Sequence, residues 1–200
     1  MHPNQAFRWE DRGTMRQLVA EIGFGALFAA TPDGPRVAHV PAVWDGEDRL
    51  LFHLARGNGL TRHLAGETAL FTVLGPDGYV SPDWYGLDHN QVPTWNYLSV
   101  ELEGPVEALD RAGLIAQIDA LAAAQEARLA PKPAWTRDKM DATALDALLR
   151  GITGFAMTVR AWRGTAKLGQ NKPDAARLAA ADAIAAAGRP AIAECMRQAR

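Results

Sequence analysis

The residues best equipped for ligand chemistry lie in one span, Gly75 to Val100, which reads GPDGYVSPDWYGLDHNQVPTWNYLSV. Trp84, Tyr85, Trp95 and Tyr97 share it with Asp83, Asp88, His89 and Asn96, and Pro82 and Pro93 stiffen the backbone between them. Rigid aromatic surfaces carrying a few polar groups suit a flat, partly polar ligand. The same residue types also serve a plainer end, with two rings plugging a core and the others filling a subunit interface. A second polar group, Arg56, Asn58 and Arg62, surrounds a Gly-rich turn that leads into a short helix. Backbone N–H groups at a helix start beside a guanidinium suit a phosphate, and ordinary capping by Asn58 with two solvated arginines is the alternative.

Other chemistries lack their parts. His39 and His53 have no HxxxH or HxH spacing, and His63 and His89 lie in different local contexts, so no metal is expected. Ser81 precedes proline in a turn, Ser99 falls in a strand, and Cys195 lies near the end with no histidine beside it in sequence, which leaves no activated nucleophile. The GNG at Gly57 is too short for a dinucleotide fingerprint, and there is no P-loop. No catalytic residue is named on these grounds.

The elements that must position these groups follow from periodicity and breakers. Met15, Leu18, Val19 and Ile22 recur at helical spacing up to Gly23, predicting a helix from about Asp11 to Ile22. GFGALFAA, RVAHVPAVW and RLLFHLA then read as strands of an antiparallel meander, joined at Pro32-Asp33-Gly34 and Asp45-Gly46. A helical turn is expected at Arg62 to Leu64 and a strand at Thr68 to Leu74, ended by a turn at Gly75-Pro76-Asp77-Gly78. Trp95 to Leu102 alternates as a half-exposed strand does. A helix over Asp110 to Leu129 ends at Pro131 and Pro133, a shorter one spans Asp141 to Leu149, and Ile152 to Trp162 reads as one barrel-closing strand. Pro173 and Asp174 open an alanine-rich helix to about Ala187, and Pro190 to Arg200 reads as a further helix or a frayed tail. Short strands joined by tight turns hide their edges best in a closed or nearly closed barrel, so the fold class is mainly β with peripheral helices (α+β).

Composition bounds the rest. At 200 residues and 48% hydrophobic, the chain supports one full core, and one domain over 1–200 with a helical segment from about 173 is expected. A formal charge of −2 without a Lys/Arg run makes direct nucleic-acid binding unlikely on charge. A single cysteine and a polar N-terminus with no apolar span fit a soluble cytoplasmic protein with no membrane contact.

At this point the words HVPAVW at His39, FHLARGN at Phe52, YVSPDWY at Tyr79, VPTWNY at Val92, GITGFAM at Gly151 and KLGQNKP at Lys167 occur in the order seen in one family. The chain resembles the PaiB family, described as FMN-binding negative transcriptional regulators, from about Phe7 to about Ala187. It departs at Gly169, where members often carry serine, and in its terminal extension. The resemblance implies an FMN-binding split β-barrel similar to pyridoxamine 5′-phosphate oxidase and flavin reductase, forming a homodimer with FMN at the subunit interface.

On that resemblance the cofactor-binding positions are Arg36, His39, Val40 and Pro41 on one strand, His53 and Leu54 on the next, Arg56, Asn58 and Arg62 at the phosphate, and Lys167, Gln170 and Asn171 near a barrel mouth. His39 could donate to the flavin or be only a satisfied barrel residue. Lys167, Gln170 and Asn171 read without the resemblance as a solvated loop before a helix. Strand alternation sets Trp95 and Asn96 on opposite faces, with Asn96 for the ligand and Trp95 packing at the rim. The aromatic stretch and Lys167 to Asn171 are expected to meet across a two-fold interface. Three functions stand: a flavin-linked regulator or redox protein, an FMN-dependent oxidoreductase acting on a small-molecule substrate, and a directly DNA-binding repressor.

Overall fold

The computed structural model describes residues 3–88 and 90–199, so His89 lies outside the described residues. In chain order the elements are β1 (Arg8–Trp9), α1 (Arg12–Ile22), β2 (Phe24–Thr31), β3 (Gly34–Trp44), β4 (Arg49–Ala55), β5 (Thr68–Val80), β6 (Thr94–Ala108), α2 (Arg111–Glu126), α3 (Ala142–Arg150), β7 (Ile152–Thr158), β8 (Ala161–Lys167), α4 (Asp174–Ala186) and α5 (Pro190–Gln198). They form an α+β fold on antiparallel pairings, divided into two compact units. Among the described residues no helix is long and apolar enough to cross a membrane.

One unit, Val19–Thr72 with Leu102–Trp162, is the barrel. Its strands run in the order β6-β5-β2-β3-β4-β7, and a further β6–β7 pairing, Val106 opposite Met157, closes the ring. Side chains alternate as a half-buried strand requires, and Leu27, Val40, Phe52, Leu54, Phe71, Val106, Phe155 and Met157 turn inward with almost no exposure. Phe52 and Phe155 are cross-strand partners whose rings stack at 5.9 Å. Gly104 permits the closure: a Cβ there would sit 1.9 Å from the Thr158 carbonyl oxygen. Asp110 and Asp141 start α2 and α3 by accepting from the Gly113 N–H at 2.7 Å and the Thr143 and Ala144 N–H groups.

The other unit comprises residues 3–18, Val73–Glu101 and Arg163–199. β1 pairs with β8, and Arg163 on β8 binds Glu101 on β6 at 3.0 Å. α4 packs on α5 through Ala180, Ala181, Ile184, Ile192 and Met196, a cluster that also takes in Val80, Tyr85 and Leu168. Small alanines let the two helices approach closely, which explains the alanine bias without a functional role. Arg177, 6% exposed, joins them by donating to the Met196 and Arg197 carbonyls at the end of α5 and to Asp174.

Two sequence expectations are corrected. Gly75-Pro76-Asp77-Gly78 is no turn, since β5 runs through it to Val80. These glycines serve packing rather than a turn: a Cβ on Gly75 would lie 3.0 Å from Leu98 Cβ, and one on Gly78 would lie 2.7 Å from Ile184 Cδ1. Residues 152–162 are not one strand but the whole of β7, a break and the start of β8. The break arises because Val159 and Arg160 give their N–H groups to Asp48 and Glu103 carbonyls at 2.8 and 2.9 Å instead of continuing a ladder. The uncertain C-terminal segment is helical over Pro190–Gln198.

Candidate functional site

β6 begins at Thr94, and its alternation sends Trp95 outward, 48% exposed, and Asn96 inward with no exposure. Trp95 donates its indole N–H to Asp77 at 3.0 Å and meets Tyr79 edge-on at 6.2 Å, so its ring packs on the exposed side of β6. Asn96 has neither its Nδ2 nor its Oδ1 paired with any group. An amide buried without partners costs about 1–3 kcal/mol, so a native chain keeps one where something else supplies the bonds.

Asn96 lines a cavity of about 220 Å³ with Tyr85, Thr94, Lys167, Asn171 and Lys172. The loop after β8 shapes it. Gln170 folds back on that loop, accepting from the Leu168 N–H at 2.8 Å and donating to the Ala166 carbonyl at 2.6 Å. Gly169 turns the chain at φ +82°, a conformation that glycine takes without strain and serine does not, which gives the family departure a physical sense. Lys167 donates to the Thr94 hydroxyl and lies 5.8 Å from the Phe7 ring centre, and burial pushes its pKa down. Lys172 donates to the Gln91 side-chain carbonyl and sits 5.2 Å over the ring of Tyr85, whose own pKa burial raises.

Of the residues expected at a site, Asn96, Lys167 and Asn171 are therefore together, and Gln170 supports their loop from behind. Within one chain the aromatic stretch and the 167–171 segment already meet, since Lys167 donates to the Thr94 hydroxyl. Lys172 and Thr94 were missed as site residues, although both lie inside the words VPTWNY and KLGQNKP.

The remaining expected residues belong to the barrel unit. Val40 and Leu54 are core residues. His39 and Pro41 lie on the opposite face of β3, where His39 stacks on Phe24 at 6.4 Å, and Arg36 is exposed near the start of that strand. His53 is half-buried, its Nδ1 3.1 Å from Gln117 Oε1, and burial lowers its pKa against the opposing effect of that hydrogen bond. Arg56 donates Nε–H to the Arg150 carbonyl at 2.9 Å, Asn58 accepts from the Leu60 N–H at 2.9 Å, and Arg62 donates to His63 at 2.9 Å. Asn58 thus closes a local turn ahead of the helical turn at 61–63, whose cap position is Leu60.

Comparisons place this geometry. The profile of the family described as "Putative FMN-binding domain" matches residues 1–161. The protease synthase and sporulation protein PAI 2 of Bacillus subtilis (strain 168) is 30% identical over 159 residues, which cover 78% of this chain and 75% of the relative. Among solved structures, the flavocytochrome Anf3 from Azotobacter vinelandii superposes with a TM-score of 0.58 at 17% identity, over 83% of this chain and 72% of that one. The FAD and Heme binding protein from Mycobacterium smegmatis gives 0.55 at 21% identity, over 80% and 73%. At those identities the structural likeness is one of fold, the split barrel, whereas the sequence matches carry the family. The chain belongs to the PaiB family of FMN-binding split-barrel proteins, and its cofactor is a flavin.

Proposed function

We propose that this protein holds FMN with the pyrimidine edge of the ring against Asn96 and uses the flavin in a redox-linked regulatory role. The Asn96 amide, unpaired among the described residues and in a cavity that none of their carboxylates lines, carries this reading. Its Nδ2 donates and its Oδ1 accepts, matching the alternating carbonyls and N–H along that edge of a flavin. When bound, the flavin supplies the electron-accepting ring. The chain supplies the rest: Asn96 orients the ring, Tyr85 helps wall it from water, and Lys167 sets positive charge beside its carbonyls.

The regulatory half rests on the name of the Bacillus subtilis relative, which speaks of protease synthesis and sporulation. A net charge of −2 favours an indirect effect on transcription over direct DNA binding. A homodimer is part of the proposal, supported by an apolar outward face on β2 and β3: Phe24, Phe28 and Val37 are 51%, 39% and 46% exposed, and Phe28 faces Val37 across the ladder.

The test is absorbance and mass spectrometry of the purified protein, then FMN titration of the parent and of Asn96→Ala. Loss of two hydrogen bonds should weaken FMN about tenfold or more. A variant that binds FMN like its parent would remove Asn96 from the flavin site.

A further inference from the structure

Charge pairing separates the cavity from its surroundings. In the unit that contains it, three arginines are matched with carboxylates: Arg163 with Glu101, Arg177 with Asp174, and Arg197 with Asp182 at 2.8 Å. Lys167 and Lys172 are not. Among the described residues their Nζ groups meet a threonine hydroxyl, a glutamine carbonyl and two aromatic faces, all neutral, and no carboxylate lines the cavity they share. Two half-buried ammonium groups without a counter-ion raise the free energy of the empty cavity, and an entering negative group relieves it.

The donors agree with the charge. Lys167, Lys172, the Asn96 and Asn171 amides and the Tyr85 hydroxyl all offer hydrogens around one cavity, and the Asn96 Nδ2 is both fully buried and unpartnered. The loop carrying Asn171 and Lys172 is held by the Gln170 side chain and by the Lys172 N–H to Gly169 carbonyl bond at 2.9 Å, so little ordering is left for binding.

We infer that this cavity seats an oxyanion, a carboxylate or phosphate group, held by Lys167 and Lys172 and by the Asn96 amide. The inference rests on the flavin reading only for which molecule bears the group: a separate small anion that meets the flavin leaves the pyrimidine edge at Asn96, whereas FMN's own phosphate in this cavity would place that edge elsewhere. Charge-assisted bonds from ammonium to oxyanion are the stronger kind, and a desolvated cavity increases them further. Burial that pushes the Lys167 pKa down adds support, since an unpaired ammonium there is the group an anion stabilises.

Calorimetric titration of inorganic phosphate and of acetate into the full chain, with and without FMN, tests the site directly. Lys167→Gln and Lys172→Gln should each weaken the bound anion about tenfold, Lys167→Arg should restore much of it, and rising salt should weaken the parent. Thermal melts of all variants guard against a misfolded one, and Lys172→Gln, at a half-exposed residue, keeps the test open if Lys167→Gln fails to fold. FMN and riboflavin titrated against the same variants identify the source. A loss confined to FMN makes the oxyanion the flavin's own phosphate, whereas loss of phosphate or acetate with both flavins unaffected makes it a separate molecule. The inference is overturned if the lysine variants bind phosphate, acetate and FMN as the parent does, or if the parent binds neither free anion and prefers FMN to riboflavin by the same factor as the variants. A chain that takes phosphate but no FMN would end the flavin reading and leave this one standing.

Discussion

The FHLARGN region of the barrel unit and the cavity of the other unit treat polar residues in opposite ways. In the barrel, the arginines, histidine and asparagine of the FHLARGN region each find a protein partner, as when Arg56 reaches the Arg150 carbonyl and His53 reaches Gln117. Among the described residues of the other unit Asn96 finds none, and two lysines face only neutral groups. Satisfied polar groups hold a fold in place, whereas unsatisfied ones cost stability and are kept for what they bind. The contrast also separates two kinds of motif residue that look alike in sequence.

The sharpest break of this comparison is one of sign. Phe52→Ala removes a fully buried ring stacked on Phe155 and should destabilise by about 3–5 kcal/mol. Asn96→Leu should do the reverse in flavin-free protein. It replaces an orphaned amide with an apolar group of similar size, so stability should hold or rise by up to about 1–3 kcal/mol while FMN affinity falls. Urea unfolding of the three proteins checks this, with midpoint shifts read at constant slope. A clear stability loss in Asn96→Leu would mean that the amide is already satisfied, and the two units would then differ less than proposed.

A middle effect is expected at Arg56. Its Nε–H bond to the Arg150 carbonyl is exposed, so Arg56→Ala should cost about 0.5–1.5 kcal/mol of stability. Titration with FMN and with riboflavin then sharpens the comparison. Equal losses leave Arg56 a structural tie between β4 and the end of α3, and a loss selective for FMN gives the phosphate to the barrel unit.

Much of this was legible in the sequence, and the failures have causes. Asp110 and Asp141 announced helix starts because a cap depends on one residue and its immediate neighbours. Alternation around Asn96 was legible for the same reason, since a strand's two faces need no tertiary knowledge. Gly75 and Gly78 misled because a glycine needed for close packing against Leu98 and Ile184 looks identical to one needed for a turn. The break after β7 was hidden, since Val159 and Arg160 bond to segments some 50 to 110 residues away in sequence. Lys172 was missed because nothing local distinguishes a lysine lacking a carboxylate partner from one bathed in solvent. Only the fold, which brings Gln91 and Tyr85 to it, shows the difference.

The smallest expected effect concerns pH and the barrel's own buried polar pair. Burial disfavours the charged imidazolium of His53, and its pKa in the folded chain lies below the ordinary value despite the hydrogen bond to Gln117, which pulls the other way. In the unfolded chain the same histidine takes a proton near pH 6.5. Below that pH the unfolded state therefore holds more protons than the folded one, and stability declines as pH falls until the folded-state pKa is also passed. The contribution is fully present above about pH 6.5 and none of it should vary at higher pH. The parent is compared with His53→Gln, which keeps a polar side chain facing Gln117 but cannot take the proton. Thermal unfolding at pH 8 and at pH 5.5 should show a smaller drop in the variant than in the parent. Equal drops would mean that His53 charges as freely folded as unfolded, and the barrel unit would then contain a polar group less fully committed to the fold than its hydrogen bond implies.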